Sequence, residues 1–126
     1  PTPTPSFVAA SDVYKRQHLK LLRQVKNKNI EIIYNTNGTF IPKKEELEEF
    51  KLYEKVTFIL SVDGVKELAE KVRGGTKWSK VLEFVDWVKE NKFTLEFNTV
   101  VHTNNWQGLE DLYNFCTRHD AKWYVN

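Results

Sequence analysis

The chain has 126 residues, 19 of them basic and 17 acidic, a formal charge of +2, and 40% hydrophobic against 29% charged composition. Interspersed, nearly balanced charge offers no basic patch for nucleic acid or an anionic membrane surface, and no apolar run reaches membrane-spanning length. The single cysteine, Cys116, excludes an intrachain disulfide and a Cys-rich metal site; with no charged-then-apolar secretory signal in these residues, a cytoplasmic setting is the expectation.

In chain order, the first feature is ASDVYKRQ. Two ordinary readings exist: a helix start, with Ser11 as cap and Leu19, Leu22 and Val25 continuing an apolar stripe, or a basic arm built on Lys15 and Arg16. A third comes from the codons. DVYKRQ can be spelled GAT GTG TAT AAG AGA CAG, which resembles the transposase mosaic-end adapter used in sequencing libraries, and the preceding AAS fits the upstream bases in the same frame. Residues 1–17 are therefore expected to be non-native adapter-derived sequence and are set aside from fold reasoning. They carry Lys15 and Arg16 against Asp12, so residues 18–126 retain a charge of only +1.

Residues 18–126 alternate strand and helix. IEIIYN (30–35) predicts a strand closed by the turn TNG; residues 43–55 predict a helix entered at Pro42, with Leu47, Phe50 and Tyr53 on one face. VTFILS (56–61) predicts a second strand stopped at Asp63-Gly64, followed by a short helical piece at 65–71. Thr76 predicts an N-cap for an amphipathic helix carrying Trp78, Val81, Leu82, Val85 and Val88. FTLEFNTVV (93–101) predicts a third strand, 106–119 a helix, and 123–125 the start of a fourth strand. Such alternation implies a mainly parallel sheet of α/β class, with about three full βα units.

The two faces of these strands differ. Ile30, Ile32 and Tyr34, then Val56, Phe58, Leu60 and Val62, then Phe93, Leu95 and Phe97 form an apolar face. The opposite parity carries Glu31, Ile33, Asn35 and Asn37, then Thr57, Ile59, Ser61 and Asp63, then Thr94, Glu96 and Asn98. A doubly wound sheet covers both faces with helices and needs both apolar. One polar face, richest at the carboxyl ends, predicts a curved sheet or partial barrel lining a cavity where α/β folds place ligands.

TNGT (36–39), SVDG (61–64), VRGGTKW (72–78) and NTVV followed by Asn104 stand in order after successive strands. Together they resemble the middle of a radical S-adenosylmethionine (radical SAM) enzyme, of the group with a C-terminal SPASM or twitch extension, over nearly all of 18–126. The resemblance implies a fragment of a partial (β/α)6 barrel with parallel strands, truncated at both ends. It also implies an enzyme that cleaves SAM reductively on a [4Fe–4S] cluster, giving methionine and a 5′-deoxyadenosyl radical that abstracts hydrogen from substrate. SAM, a substrate and an electron donor would be the partners of the parent enzyme, with no nucleic acid and no membrane. The cluster needs three thiolates, usually in a CxxxCxxC loop after the first strand. This chain lacks that loop and the Gly-Gly-Glu type motif that holds the SAM amino group. The missing parts are expected immediately upstream, and the chain alone is expected to be inactive and to bind neither SAM nor cluster stably.

Site roles carry over where residues match. Ser61 resembles the residue that hydrogen-bonds the SAM ribose or carboxylate, or else caps the following turn. Arg73 resembles the arginine that meets the methionyl carboxylate, a task suited to a planar bidentate donor, or else is a solvated helix-end arginine. Asp63 orients Ser61, contacts ribose, or belongs to turn chemistry; Asn98 resembles a residue near ribose or substrate. Asn37 sits at the matching strand end, where Asn-Gly turn geometry accounts for it equally well. Glu96 would point into the cavity and need a partner, with Lys or Arg from further strands available to supply it.

Other residues read as structural. Trp78, Trp87, Trp106 and Trp123 read as packing aromatics, Cys116 as a small buried hydrophobe, and His18, His102 and His119 lack metal spacing. Two further classes compete with the enzyme: a cluster-free α/β domain binding a nucleotide or small metabolite, and a non-catalytic scaffold whose motifs are ordinary turns.

Overall fold

The computed structural model describes residues 6–9 and 15–126, with side chains described from Leu19 onward. Five strands, β1 (Ser6–Ala9), β2 (Glu31–Thr36), β3 (Lys55–Ser61), β4 (Thr94–Thr99) and β5 (Lys122–Val125), pair in sequential order as one sheet, every pair parallel. Helices α1 (Lys15–Gln24), α2 (Lys44–Phe50), α3 (Glu67–Val72), α4 (Trp78–Glu90) and α5 (Leu109–Arg118) connect them, α5 entered through a 3-10 turn at Trp106–Gly108. Right-handed crossovers between sequential parallel strands place every helix on the same face, as in a barrel. A doubly wound sheet would instead reverse its strand order part-way.

Burial follows the sequence parity. Ile32, Tyr34, Phe58, Leu60, Leu95 and Phe97 are buried under the helices, while Ile33, Asn35, Ile59, Ser61, Glu96 and Asn98 on the opposite face are half-buried. The three expected βα units are present, and β1 and α1 precede them. β1 therefore occupies residues that the adapter reading had set aside, pairing Ser6 to Ala9 with Glu31 to Tyr34. Residues 1–5 and 10–14, which include most of ASDVYKRQ, lie outside the described residues.

Local departures have tertiary causes. Helix α2 stops at Phe50 rather than running to 55, because Tyr53 leaves the helical stripe to pack beside α1. Its hydroxyl donates to the Leu22 carbonyl at 2.7 Å, and the Glu54 amide donates to the Lys28 carbonyl, which returns the chain to the start of β3. In α4 the buried stripe is Val81, Phe84, Val85 and Val88; Leu82 is exposed and Phe84 takes the core position that Leu82 was expected to fill. Lys77, not Thr76, is the N-cap residue of α4, since the Thr76 amide closes the preceding turn onto the Arg73 carbonyl. Trp106 is exposed rather than packed, whereas Trp78, Trp87 and Trp123 lie against the core.

The core is aromatic. Phe58, fully buried at the centre of β3, lies 5.3–5.7 Å from the rings of Tyr34, Phe50, Phe84, Trp87 and Phe93. Most of these contacts are edge-to-face or tilted, the arrangements favoured by ring quadrupoles. This rigid layer fixes the strand ends that carry the polar residues.

Candidate functional site

The strand register decides which polar residues meet. Ser61 pairs with Asn98, and Asn98 with Tyr124; Thr36 pairs with Leu60, which puts Asn37 level with Ser61. Asn37, Ser61 and Asn98 thus form one row across three neighbouring strands at the carboxyl end of the sheet. One level below, Glu96 stands in register between Ile59 of β3 and Lys122 of β5, with no ion pair to either strand among the described residues.

These side chains are committed to different degrees. Asn37 closes an Asx turn, its Oδ1 accepting from the Thr39 amide at 3.1 Å and the Thr39 hydroxyl at 2.7 Å, while Gly38 takes φ +75°. Turn geometry therefore accounts for the Asn37 carbonyl. Asn98 Oδ1 accepts from Asn126 Nδ2 at 2.8 Å. Ser61 is half-buried, and its hydroxyl has no hydrogen-bond partner among the described residues.

Asp63 departs from its expected place on the polar face and makes no bond to Ser61. Because β3 ends at Ser61, the chain turns and carries the Asp63 carboxylate beneath the loop that follows β4, where it is 5% exposed. There Oδ2 accepts from Arg73 Nε at 2.7 Å and Oδ1 from the Val100 amide at 3.0 Å. Arg73 lies at the end of α3, and its terminal guanidinium nitrogens have no partner among the described residues. Gly75 adopts φ +88°, a left-handed conformation that glycine reaches without strain, and a Cβ on either Gly74 or Gly75 would meet nothing within 4 Å.

Asn105, which the sequence reading passed over in favour of Asn104, organises the same end. It is 1% exposed; Nδ2 donates to the Asp63 carbonyl at 3.0 Å and the Val100 carbonyl at 2.9 Å, and Oδ1 accepts from the His102 amide at 2.8 Å. Asn104 is exposed. Thr99 joins this network, donating to the Val62 carbonyl at 2.6 Å and accepting from Trp123 Nε1 at 2.9 Å. Nothing local in NTVVHTNN names a partner 42 residues earlier in the chain.

In the polar row, Ser61 and Asn98 are half-buried and Asn37 is exposed. A groove of about 520 Å³ lies on the helix side, lined by Trp78, Leu82, Phe115 and Arg118 among others, and a hollow of about 360 Å³ is lined by Lys71, Val72 and Asn104. Neither includes Ser61 or Asn98. Among the described residues, no three His, Cys, Asp or Glu side chains converge as a metal site, and no helix is long and apolar enough to cross a membrane.

The sequence model of the Radical SAM superfamily matches residues 6–116. The chain belongs to the radical SAM superfamily. The match starts ahead of the nine adapter-like residues AASDVYKRQ and runs through them. Among solved structures, the fold is similar to that of Streptococcus suis SuiB, with TM-score 0.74 and 18% identity, covering 95% of this chain and 28% of SuiB. It is equally similar to SuiB bound to S-adenosylmethionine, with TM-score 0.74, 17% identity and the same coverage. At this identity the likeness is one of fold, and the chain spans under a third of SuiB's length. A comparison with curated proteins gives no match.

Two groups implied by the superfamily fit these residues differently. A [4Fe–4S] cluster requires several thiolates, and this chain has only Cys116. That thiol is buried in α5 on the helix side, and burial pushes its pKa up to about 12. The cluster therefore does not fit the residues present. Toward SAM, the Ser61 hydroxyl at the end of β3 and the terminal nitrogens of Arg73 after α3 are polar groups with no partner among the described residues.

Proposed function

We propose that this chain is the central part of a radical SAM barrel of the SPASM or twitch type, and that its strand ends bind SAM. In the parent enzyme, SAM bound to a [4Fe–4S] cluster supplies the radical chemistry that removes a hydrogen atom from substrate. In this reading Ser61 and Asn98 contact the ribose, and Arg73 meets the methionyl carboxylate. Asp63 and Asn37 shape the turns on which those residues sit. The observation that carries the reading is the level row Asn37, Ser61 and Asn98 on successive parallel strands, with the Ser61 hydroxyl uncommitted. The superfamily match over residues 6–116 supports it.

The chain by itself has no ligand set for the cluster, so iron reconstitution under anaerobic conditions is expected to give no cluster absorbance and no SAM cleavage. Adapter-derived sequence around AASDVYKRQ remains part of the proposal; the formation of β1 does not bear on it, because backbone pairing does not depend on where a segment came from. Sequencing the source DNA outward from the His18 codon tests it: a barrel strand, a CxxxCxxC loop and a Gly-Gly-Glu type turn replacing AASDVYKRQ are expected. If residues 1–17 prove genomic and begin the native protein, a cluster-free binding domain becomes the better account.

The site itself is tested by titrating SAM into the chain and following backbone amide shifts by NMR. Weak binding is expected, with shifts at Ser61 and Asn98 that diminish in Ser61→Ala. Shifts confined to the Trp78–Phe115 groove, or none, would overturn the assignment.

A further inference from the structure

Arg73 is held in an unusual way for a residue at the end of a six-residue helix. Its Nε is fixed at 2.7 Å by a carboxylate that is 6% exposed, while the arginine side chain itself is 38% exposed. That carboxylate cannot swing away with Arg73, because its other oxygen is bonded to the Val100 amide at 3.0 Å and its backbone carbonyl to Asn105 at 3.0 Å. Asn105 has both amide hydrogens and its carbonyl engaged, so the anchor is satisfied from behind. A guanidinium is planar, with donors on more than one edge. Gripping the Nε edge therefore aims the terminal nitrogens outward, and these have no partner among the described residues.

We propose that Asp63 is a positioning residue: by holding Arg73 through Nε, it presents the terminal guanidinium edge as a pre-aimed fork for an oxyanion, here the carboxylate of SAM. The choice of ligand rests on the proposed SAM site; the holding of the arginine rests on the geometry alone. An arginine immobilised before binding loses less side-chain freedom when it meets its ligand. The bidentate geometry suits carboxylate or phosphate. Asp63 acts only through Arg73 and touches no ligand itself.

The test compares two ligands that differ only in the carboxylate, S-adenosylmethionine and its decarboxylated form, binding to the chain as it stands. Asp63→Asn keeps the shape and, with its one carbonyl oxygen on the Val100 amide, turns its amide nitrogen, a donor, toward Arg73 Nε. It is expected to weaken SAM roughly tenfold, the scale of a charge-assisted hydrogen bond, and to leave the decarboxylated ligand unchanged. Arg73→Gln should show the same selective loss, and Asp63→Asn on top of Arg73→Gln should add nothing further for SAM. Arg73→Lys, which keeps the charge without the fork, should not restore affinity. If Asp63→Asn fails to fold, Arg73→Gln carries the ligand comparison, and loss of slow exchange at the wild-type Arg73 Nε proton would show that Asp63 does not hold it. Equal weakening of both ligands, or of neither, overturns the positioning role while leaving the SAM site intact. Wild-type chain binding neither ligand overturns the SAM site itself, and the inference falls with it.

Discussion

Under the helices, Phe58 meets five aromatic rings, and no polar side chain is needed to fix its place. At the carboxyl ends of the same strands, Asp63, Thr99 and Asn105 are as deeply buried, yet each is placed by hydrogen bonds to named backbone groups. The first region is held by contacts that are individually weak and nearly direction-free. The second is held by few, directional bonds, each of which leaves an unmet polar partner when removed. The aromatic side should thus fail by volume and the polar end by bond.

The largest effect expected from breaking that contrast is at its aromatic centre. Phe58→Ala should destabilise the chain by about 3–5 kcal/mol, the range for emptying a fully buried aromatic site, read as a lower urea midpoint. Phe58→Leu should recover much of that loss, because the site asks for volume rather than a specific bond. If Phe58→Leu is as damaging as Phe58→Ala, ring geometry matters more than filled space, and the contrast weakens.

At the polar end, Asn105→Ala strands the Asp63 and Val100 carbonyls and the His102 amide. A loss of about 2 kcal/mol is expected. Unlike the core variant, it should first raise amide exchange locally, at Val100 to Trp106, ahead of global unfolding. Asn105→Asp should not rescue it, because a carboxylate has no hydrogen to give either carbonyl. Exchange that rises uniformly across the sheet would instead join the polar end to the core as one cooperative unit.

The same contrast explains what could be read in the sequence. Strand parity, the amphipathic α4 and the sequential βα order were legible because burial repeats with a fixed period: Ile32 and Tyr34, Leu95 and Phe97 declare themselves locally. The superfamily was legible from short motifs at strand ends. The roles within those motifs were not. Asp63 read as turn chemistry or a ribose contact, but its partners are Arg73, ten residues on, and Val100, 37 residues on. Asn105 gave no signal because its meaning lies in Asp63 and Val100. The early end of α2 was hidden likewise, since the Tyr53 hydroxyl finds its acceptor at Leu22, 31 residues back.

A smaller effect is expected where the two regions touch. Gly38 follows β2 at φ +75°, and a Cβ there would lie 2.7 Å from Leu60 Cδ1, at the top of the apolar layer. Gly38→Ala combines left-handed strain with that overlap, and a loss of about 1–2 kcal/mol is expected from thermal or urea unfolding. Adding Leu60→Val should relieve only the steric share. If the double variant is no better than the sum of the two single ones, backbone strain alone sets the penalty.

The smallest predicted effect concerns His119, on the helix-side groove, where the imidazole stacks edge-on 4.5 Å from the Phe115 ring. Partial burial lowers its pKa from the ordinary 6.5, opposed by Asp86 and reinforced by Arg118 and Lys89. The folded chain then binds fewer protons than the unfolded chain between the lowered value and 6.5, so stability rises with pH across that window. The contribution is complete above 6.5, declines as the pH falls through the folded pKa, and is level below it. His119→Gln should remove this acid-side slope, seen as the difference between wild-type and variant urea midpoints from pH about 7.5 to about 5. Identical slopes would place His119 among freely solvated groups and push the boundary of the aromatic region back to Phe115. A slope of opposite sign would mean that Asp86 governs the imidazole, making this corner of the helix layer electrostatic in the manner of the polar end.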